Sequence, residues 1–173
     1  MEEKDIINRV SNSALVTLNL EDLASGRESV AFDLKDLLFQ GLVLREKDLR
    51  EFVRTHDWQQ YAGKDVALYC SADAIIPTWA FMLIAISLQP IAHRVVFGDK
   101  SQLAAVHFHE ALNKIHWEQY RNAKVVIKGC SDVHVPESVF VEAAIRLRAV
   151  AASVMYGEPC STVPLFKRQK TGA

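Results

Sequence analysis

The chain carries little that would announce a reaction. It has three cysteines and five prolines in 173 residues, and its charges nearly cancel, 20 basic against 21 acidic. A net charge of −1 gives no basic face, so general affinity for nucleic acid is not expected. There is no G-x-G-x-x-G, Walker loop, H-E-x-x-H or G-x-S-x-G elbow. Their absence argues against the common nucleotide enzymes, zinc proteases and esterases. The most apolar stretch, Pro77 to Leu88, is shorter than the roughly 20 residues that span a bilayer, so it reads as a buried helix and no membrane partner is expected. The start, Met-Glu-Glu-Lys-Asp, has no export signal, and a reducing, cytoplasmic compartment follows as the expectation. Three cysteines there are thiols or metal ligands rather than disulfides.

What is present is an echo. Shifting the sequence by 59 residues superposes His56-Asp-Trp-Gln-Gln-Tyr61 on Ile115-His-Trp-Glu-Gln-Tyr120. Matches run without gaps from Leu44/Leu103 to Leu88/Leu147, including Trp58/Trp117, Asp73/Asp132, Pro77/Pro136 and Phe81/Phe140. They number 12 in 45 positions, where unrelated sequences of this composition share roughly 3. Each copy reads as strand, helix, strand, helix. The first strands are Ser29–Asp33 and His93–Phe97, and the following helices run about Glu46 to His56 and Gln102 to Ile115. Next come strands Val66–Tyr69 and Val125–Ile127, then helices opening at Pro77 and Pro136, the second carrying its apolar stripe on to Val154.

The expected fold is one three-layer α/β domain over residues 1–173, with a mostly parallel sheet of about five strands. Repeat 1 spans about 29–88 and repeat 2 about 89–147. A helix Glu3–Val10 and a strand Leu15–Leu20 precede them. The turn Ala24–Arg27 predicts an N-terminal antiparallel hairpin between Leu15–Leu20 and Ser29–Asp33, and residues 156–173 read as a non-helical extension carrying the last cysteine.

All three cysteines are followed by serine, and each Cys-Ser leads through a short spacer to proline: Cys70 to Pro77, Cys130 to Pro136, Cys160 to Pro164. Two of them end equivalent strands just before a helix, the edge where open α/β sheets bind ligands. If the third folds back over that edge, three sulfurs meet. Helix N-termini favour thiolate there, and Ser71, Ser131 and Ser161 offer hydroxyls and amides to tune it. Cys70, Cys130 and Cys160 are therefore candidate metal ligands, for an iron–sulfur cluster with an open iron or for zinc with His134 as fourth ligand. Lys128, beside Gly129, is a candidate anion or cofactor contact. The partner in that reading is a metal or an unidentified small molecule.

Two readings compete. Buried cysteines pack as small hydrophobes in many folds, which would leave a non-catalytic interaction module. A metal-free thiol enzyme would instead use Cys130, activated by Lys128. Asp73 and Asp132 are expected to cap the helices after them, Trp58 and Trp117 to anchor the core, and His107 and His109 to lie on the solvent side or rim. The oligomeric state is open, a homodimer included.

The stretches Phe32–Asp48, Cys70–Trp79, Val126–Cys130 and Met155–Pro164 resemble a bacterial family catalogued as domain of unknown function 2480. The resemblance covers nearly the whole chain. It implies a small bacterial cytoplasmic protein and brings no established activity with it. In layout alone, three Cys loops in related surroundings are similar to those of quinolinate synthase, an enzyme far longer than this chain.

Overall fold

A computed structural model describes residues 15–129, 133–158 and 160–169. The expected helix Glu3–Val10 lies outside them. The described chain holds seven strands and four α-helices, in two compact units: residues 25–106 form one, and the described residues of 15–24 and 107–169 form the other.

The first unit contains β2 (Ser29–Asp33), α1 (Glu46–Thr55), β3 (Asp65–Tyr69), α2 (Thr78–Leu88) and β4 (Arg94–Phe97). The strands pair in parallel in the order β2-β3-β4. Period-2 alternation turns Phe32, Val66 and Leu68 toward the helices. There they close a core with Leu49 of α1 and with Ala80, Ile84 and Leu88 of α2. Trp58 stacks on Phe32, rings 5.9 Å apart, and its indole N–H donates to Val53 O at 3.0 Å.

The second unit contains β1 (Leu15–Asn19), β5 (Lys124–Lys128), α4 (Glu137–Val150), β6 (Ser153–Glu158) and β7 (Ser161–Lys167). Its order is β1-β5-β6-β7, parallel except for the last pair. The helix α3 (Lys100–Lys114) carries the chain from one unit to the other and gives Phe108 and Leu112 to this core. Trp117, like Trp58, packs at the edge of a core.

The α/β class and the mainly parallel pairing follow the sequence pattern, but the strands form two sheets, and the hairpin needs correction. Strands β1 and β2 do not pair: β1 lies against β5, and β2 against β3. Leu18 and Leu20 are buried in one core while Phe32 and Leu34 are buried in the other, so the apolar faces, not the turn between them, decide the partners. The antiparallel pair stands at the other end of the chain, where β6 and β7 make a strand pair from the expected extension. The last helix also stops earlier than its stripe implies. Ala151 is already extended, and Val154 belongs to β6, where it pairs with Val125.

The same contacts recur at an interval of 59 residues. The register Val66↔Val95 and Leu68↔Phe97 is matched by Val125↔Val154 and Ile127↔Tyr156. Trp117 N–H donates to Leu112 O as Trp58 does to Val53 O. Gly63 N–H donates to Ile91 O, and Asn122 N–H to Val150 O, both at 3.0 Å. Gly63 and Asn122 share a left-handed backbone, φ 69° and 58°. Phe81 meets Phe97 edge-on, and Phe140 meets Tyr156 edge-on.

Candidate functional site

In the first unit the carboxyl ends of β2, β3 and β4 bring together Asp33, Cys70, Ser71 and the start of α3. Asp33 ends β2 and caps the 3-10 turn that follows, so its carboxylate meets free backbone N–H groups. Its Oδ1 accepts from Lys35 N and Ser71 N, both at 3.0 Å, and its Oδ2 accepts from the Ser71 hydroxyl at 2.5 Å. Burial pushes the Asp33 carboxyl up. The hydrogen bonds from Ser71 and Lys35 outweigh that and hold it below the ordinary carboxylate value. A carboxylate so saturated is a poor general base, and it serves as a latch for the 70–71 loop.

Ser71 is thus spent on Asp33 rather than on sulfur. The Cys70 thiol is half-buried at the edge of the core and points to Ala72 O at 3.9 Å. Beside it, Asp99 caps α3. Its Oδ1 accepts from Ser101 N and Gln102 N, and its own N–H donates to Gln102 Oε1 at 2.7 Å, a reciprocal capping box. Cys70, Asp99 and Gln102 line a shallow cleft of about 410 Å³ with Phe97 and Gly98. Asp73 does not cap α2, which begins at Pro77 without a side-chain cap.

In the second unit Cys160 is exposed between β6 and β7, and Ser161 opens β7, paired with Glu158. Cys130, Ser131 and Asp132 lie outside the described residues. His134 is exposed and lines a cleft with Phe140 and Tyr156. The Lys128 ammonium is paired with Glu158 at 3.2 Å. Gly129 adjoins it at φ +149°, where a Cβ would stand 3.3 Å from Leu20 Cβ; the glycine admits a neighbouring turn rather than a ligand. Among the described residues, no group of three or more His, Cys, Asp or Glu side chains could hold a metal ion.

Sequence reasoning missed a polar cluster in this unit. His109 Nδ1 and Arg146 both hydrogen-bond to Glu142, and the Arg146 guanidinium stands 5.7 Å from the Trp117 ring. Burial raises the Glu142 carboxyl, but the bonds from His109 and Arg146 prevail and lower it. The i, i+4 spacing of Glu142 and Arg146 was readable as a helix pair. The share of His109, which ties α3 to α4, was not.

The larger surface feature is apolar. Ile76, Thr78, Phe81, Met82, Ala85 and Phe97 line a cleft between α2 and β4. Their counterparts 59 residues on, Val135, Glu137, Phe140, Val141, Ala144 and Tyr156, line the cleft between α4 and β6. The two differ in their cover. Beside β6 runs β7, and Leu165 joins that cleft's lining. On the side of β4 away from β3, no strand among the described residues pairs. The helices differ too. α4 carries Glu137, Glu142, Arg146 and Arg148, whereas α2, Thr-Trp-Ala-Phe-Met-Leu-Ile-Ala-Ile-Ser-Leu, has no charged residue. A helix apolar all round belongs inside a protein, and the sequence led us to expect this one buried. Instead, only Ala80, Ile84 and Leu88 are fully covered. Trp79, Met82 and Ile86 are 37%, 59% and 69% exposed, and Phe97 of β4 is 69% exposed.

A family model described as protein of unknown function (DUF2480) matches residues 4–168. The chain belongs to this family. No curated protein and no solved structure matches the chain. No helix among the described residues of this DUF2480 protein is long and apolar enough to cross a membrane.

Proposed function

We propose that this DUF2480 protein is a non-catalytic interaction module of the bacterial cytoplasm that presents the α2–β4 face to another polypeptide. The observation that carries the reading is the uncharged α2 with one apolar stripe uncovered. Exposed apolar surface of this kind, running from a helix onto a strand edge that no described strand pairs, marks binding sites. Covering Met82, Ile86 and Phe97 would release about 1.5–3 kcal/mol for each side chain fully buried. The polar groups nearby support the same view. Asp33 and Ser71 bond to each other, and the Asp99 carboxylate bonds to the backbone at the start of α3, which leaves them structural work rather than proton transfer.

An interaction module of this type needs its apolar surface and does not need its thiols. The test is binding of 1-anilinonaphthalene-8-sulfonate to the dilute native protein. Met82→Glu with Ile86→Glu should lower dye fluorescence severalfold at unchanged melting temperature, and Cys70→Ser should leave it unaltered. Equal dye binding by wild type and the charged variant would refute the reading.

A second reading, metal or iron–sulfur binding through Cys70, Cys130 and Cys160 with Ser71, Ser131, Ser161, Lys128 and His134 around them, is favoured by the threefold Cys-Ser-to-Pro context. Protein purified without oxygen should then carry stoichiometric iron or zinc, with visible absorbance if a cluster is present. Colourless protein with substoichiometric metal would end it.

A further inference from the structure

We infer that the polypeptide received by the α2–β4 face is a second copy of this chain, joined antiparallel along β4. The inference rests on the reading of that face as a binding surface and adds the identity of the partner.

The chain itself shows how this edge is completed. Strand β6 stands where β4 stands, 59 residues on, and it is covered by an antiparallel strand, with Val154↔Phe166 and Tyr156↔Val163 in register. Strand β7 is already committed to β6, so it is not available to β4. The outer edge of β7 is blunted by Pro164 and by the irregularity opposite Val154/Met155. β4 carries neither protection.

The backbone of β4 is self-complementary. Arg94 N and Gly98 N point to β3, donating to Lys64 O and Leu68 O. By alternation, the N–H and C=O groups of Val95 and Phe97 point outward. A two-fold axis at Val96 sets Val95 opposite the second copy's Phe97, so each pair can exchange backbone hydrogen bonds. The same axis sets Arg94 opposite Gly98 and His93 opposite Asp99, and no like charges face each other across the seam. It also carries the exposed Met82 and Ile86 of one α2 toward those of the other. The apolar area so covered is on the order of several hundred Å² per copy, the scale of a standard interface at about 800 Å² per partner.

Sedimentation equilibrium of the full chain tests the inference. Wild type should pass from monomer to dimer as concentration rises. Phe97→Pro removes an outward N–H, and Met82→Glu places charge on the covered helix face. Each should weaken the dimer about tenfold or more, the loss expected when an interface anchor is removed. Met82→Glu changes an exposed position and keeps the test valid if Phe97→Pro does not fold. A dimer of unchanged affinity in Met82→Glu, or in folded Phe97→Pro, overturns the inference, as does a monomer at every concentration. A monomer that still binds the dye leaves the face a site for a different polypeptide. One that binds no dye removes the surface reading with it.

Discussion

Gly157 should be the least replaceable glycine described in the chain. Its φ is +118°, and an added Cβ would stand 2.7 Å from the carbonyl oxygen of Ser161, a backbone atom of the paired strand β7. That φ is nearly closed to other residues and costs about 1–3 kcal/mol. Displacing β7 weakens strand hydrogen bonds worth about 0.5–1.5 kcal/mol each. Loss of unfolded-state freedom returns about 0.4–1 kcal/mol. Gly157→Ala should therefore cost about 0.5–4 kcal/mol, centred near 2. Gly63 has φ +69°, and no atom lies within 4 Å of the place an added methyl group would take, so Gly63→Ala should cost only the left-handed penalty of about 1–2 kcal/mol less the same unfolded-state return, about 1 kcal/mol net. Gly63→Asn should cost a few tenths, about 0.5 kcal/mol at most, because Asn122 already holds the equivalent conformation 59 residues on. Urea unfolding followed by tryptophan fluorescence measures all three. A Gly63→Asn loss as large as that of Gly157→Ala would refute both the strain argument and the 59-residue correspondence.

The remaining expectations are separate. Asp33 has a carboxyl held below its ordinary value, so its contribution is complete above about pH 4 and is lost as pH falls through the lower folded value. Asp33→Asn should thus flatten the acid limb of stability against pH, and an unchanged limb would contradict the latch. Ile84→Ala should cost about 2–5 kcal/mol, whereas Ile86→Ala on the exposed stripe should stay within about 0.5 kcal/mol for the dilute protein; calorimetry separates them. Cys160, exposed, should react with a neutral alkylating reagent well before the half-buried Cys70 does, and mass spectrometry of partly labelled protein would show the reverse order if that placement were wrong.

Much of the fold was legible because local chemistry and burial agree. The run Ser29–Asp33 alternates and ends at an Asp, and it is β2 as expected. Pro77 and Pro136 mark the starts of α2 and α4. The errors arose where pairing is long-range. Ala24–Arg27 has good turn chemistry, yet Leu18 and Phe32 belong to different cores. The tail read only as a non-helical extension, and its strand β7 carries Pro164. The proline is tolerated because it stands opposite Met155, at a position whose N–H does not face β6. The cysteines were visible as a motif, but no periodicity tells that Ser71 bonds to Asp33, 38 residues earlier. The opposite held for α2. Its composition signalled burial, and the exposed Trp79, Met82 and Ile86 are the part of that signal the described chain does not satisfy.

Amide hydrogen exchange tests the open edge most directly, because the chain contains its own control. In dilute solution the outward amides of Val95 and Phe97 should exchange far faster than those of Val154 and Tyr156, which occupy the same places beneath β7. At high concentration the first pair should become protected. Equal, strong protection of both pairs at the lowest concentration would show β4 already covered and would contradict the account.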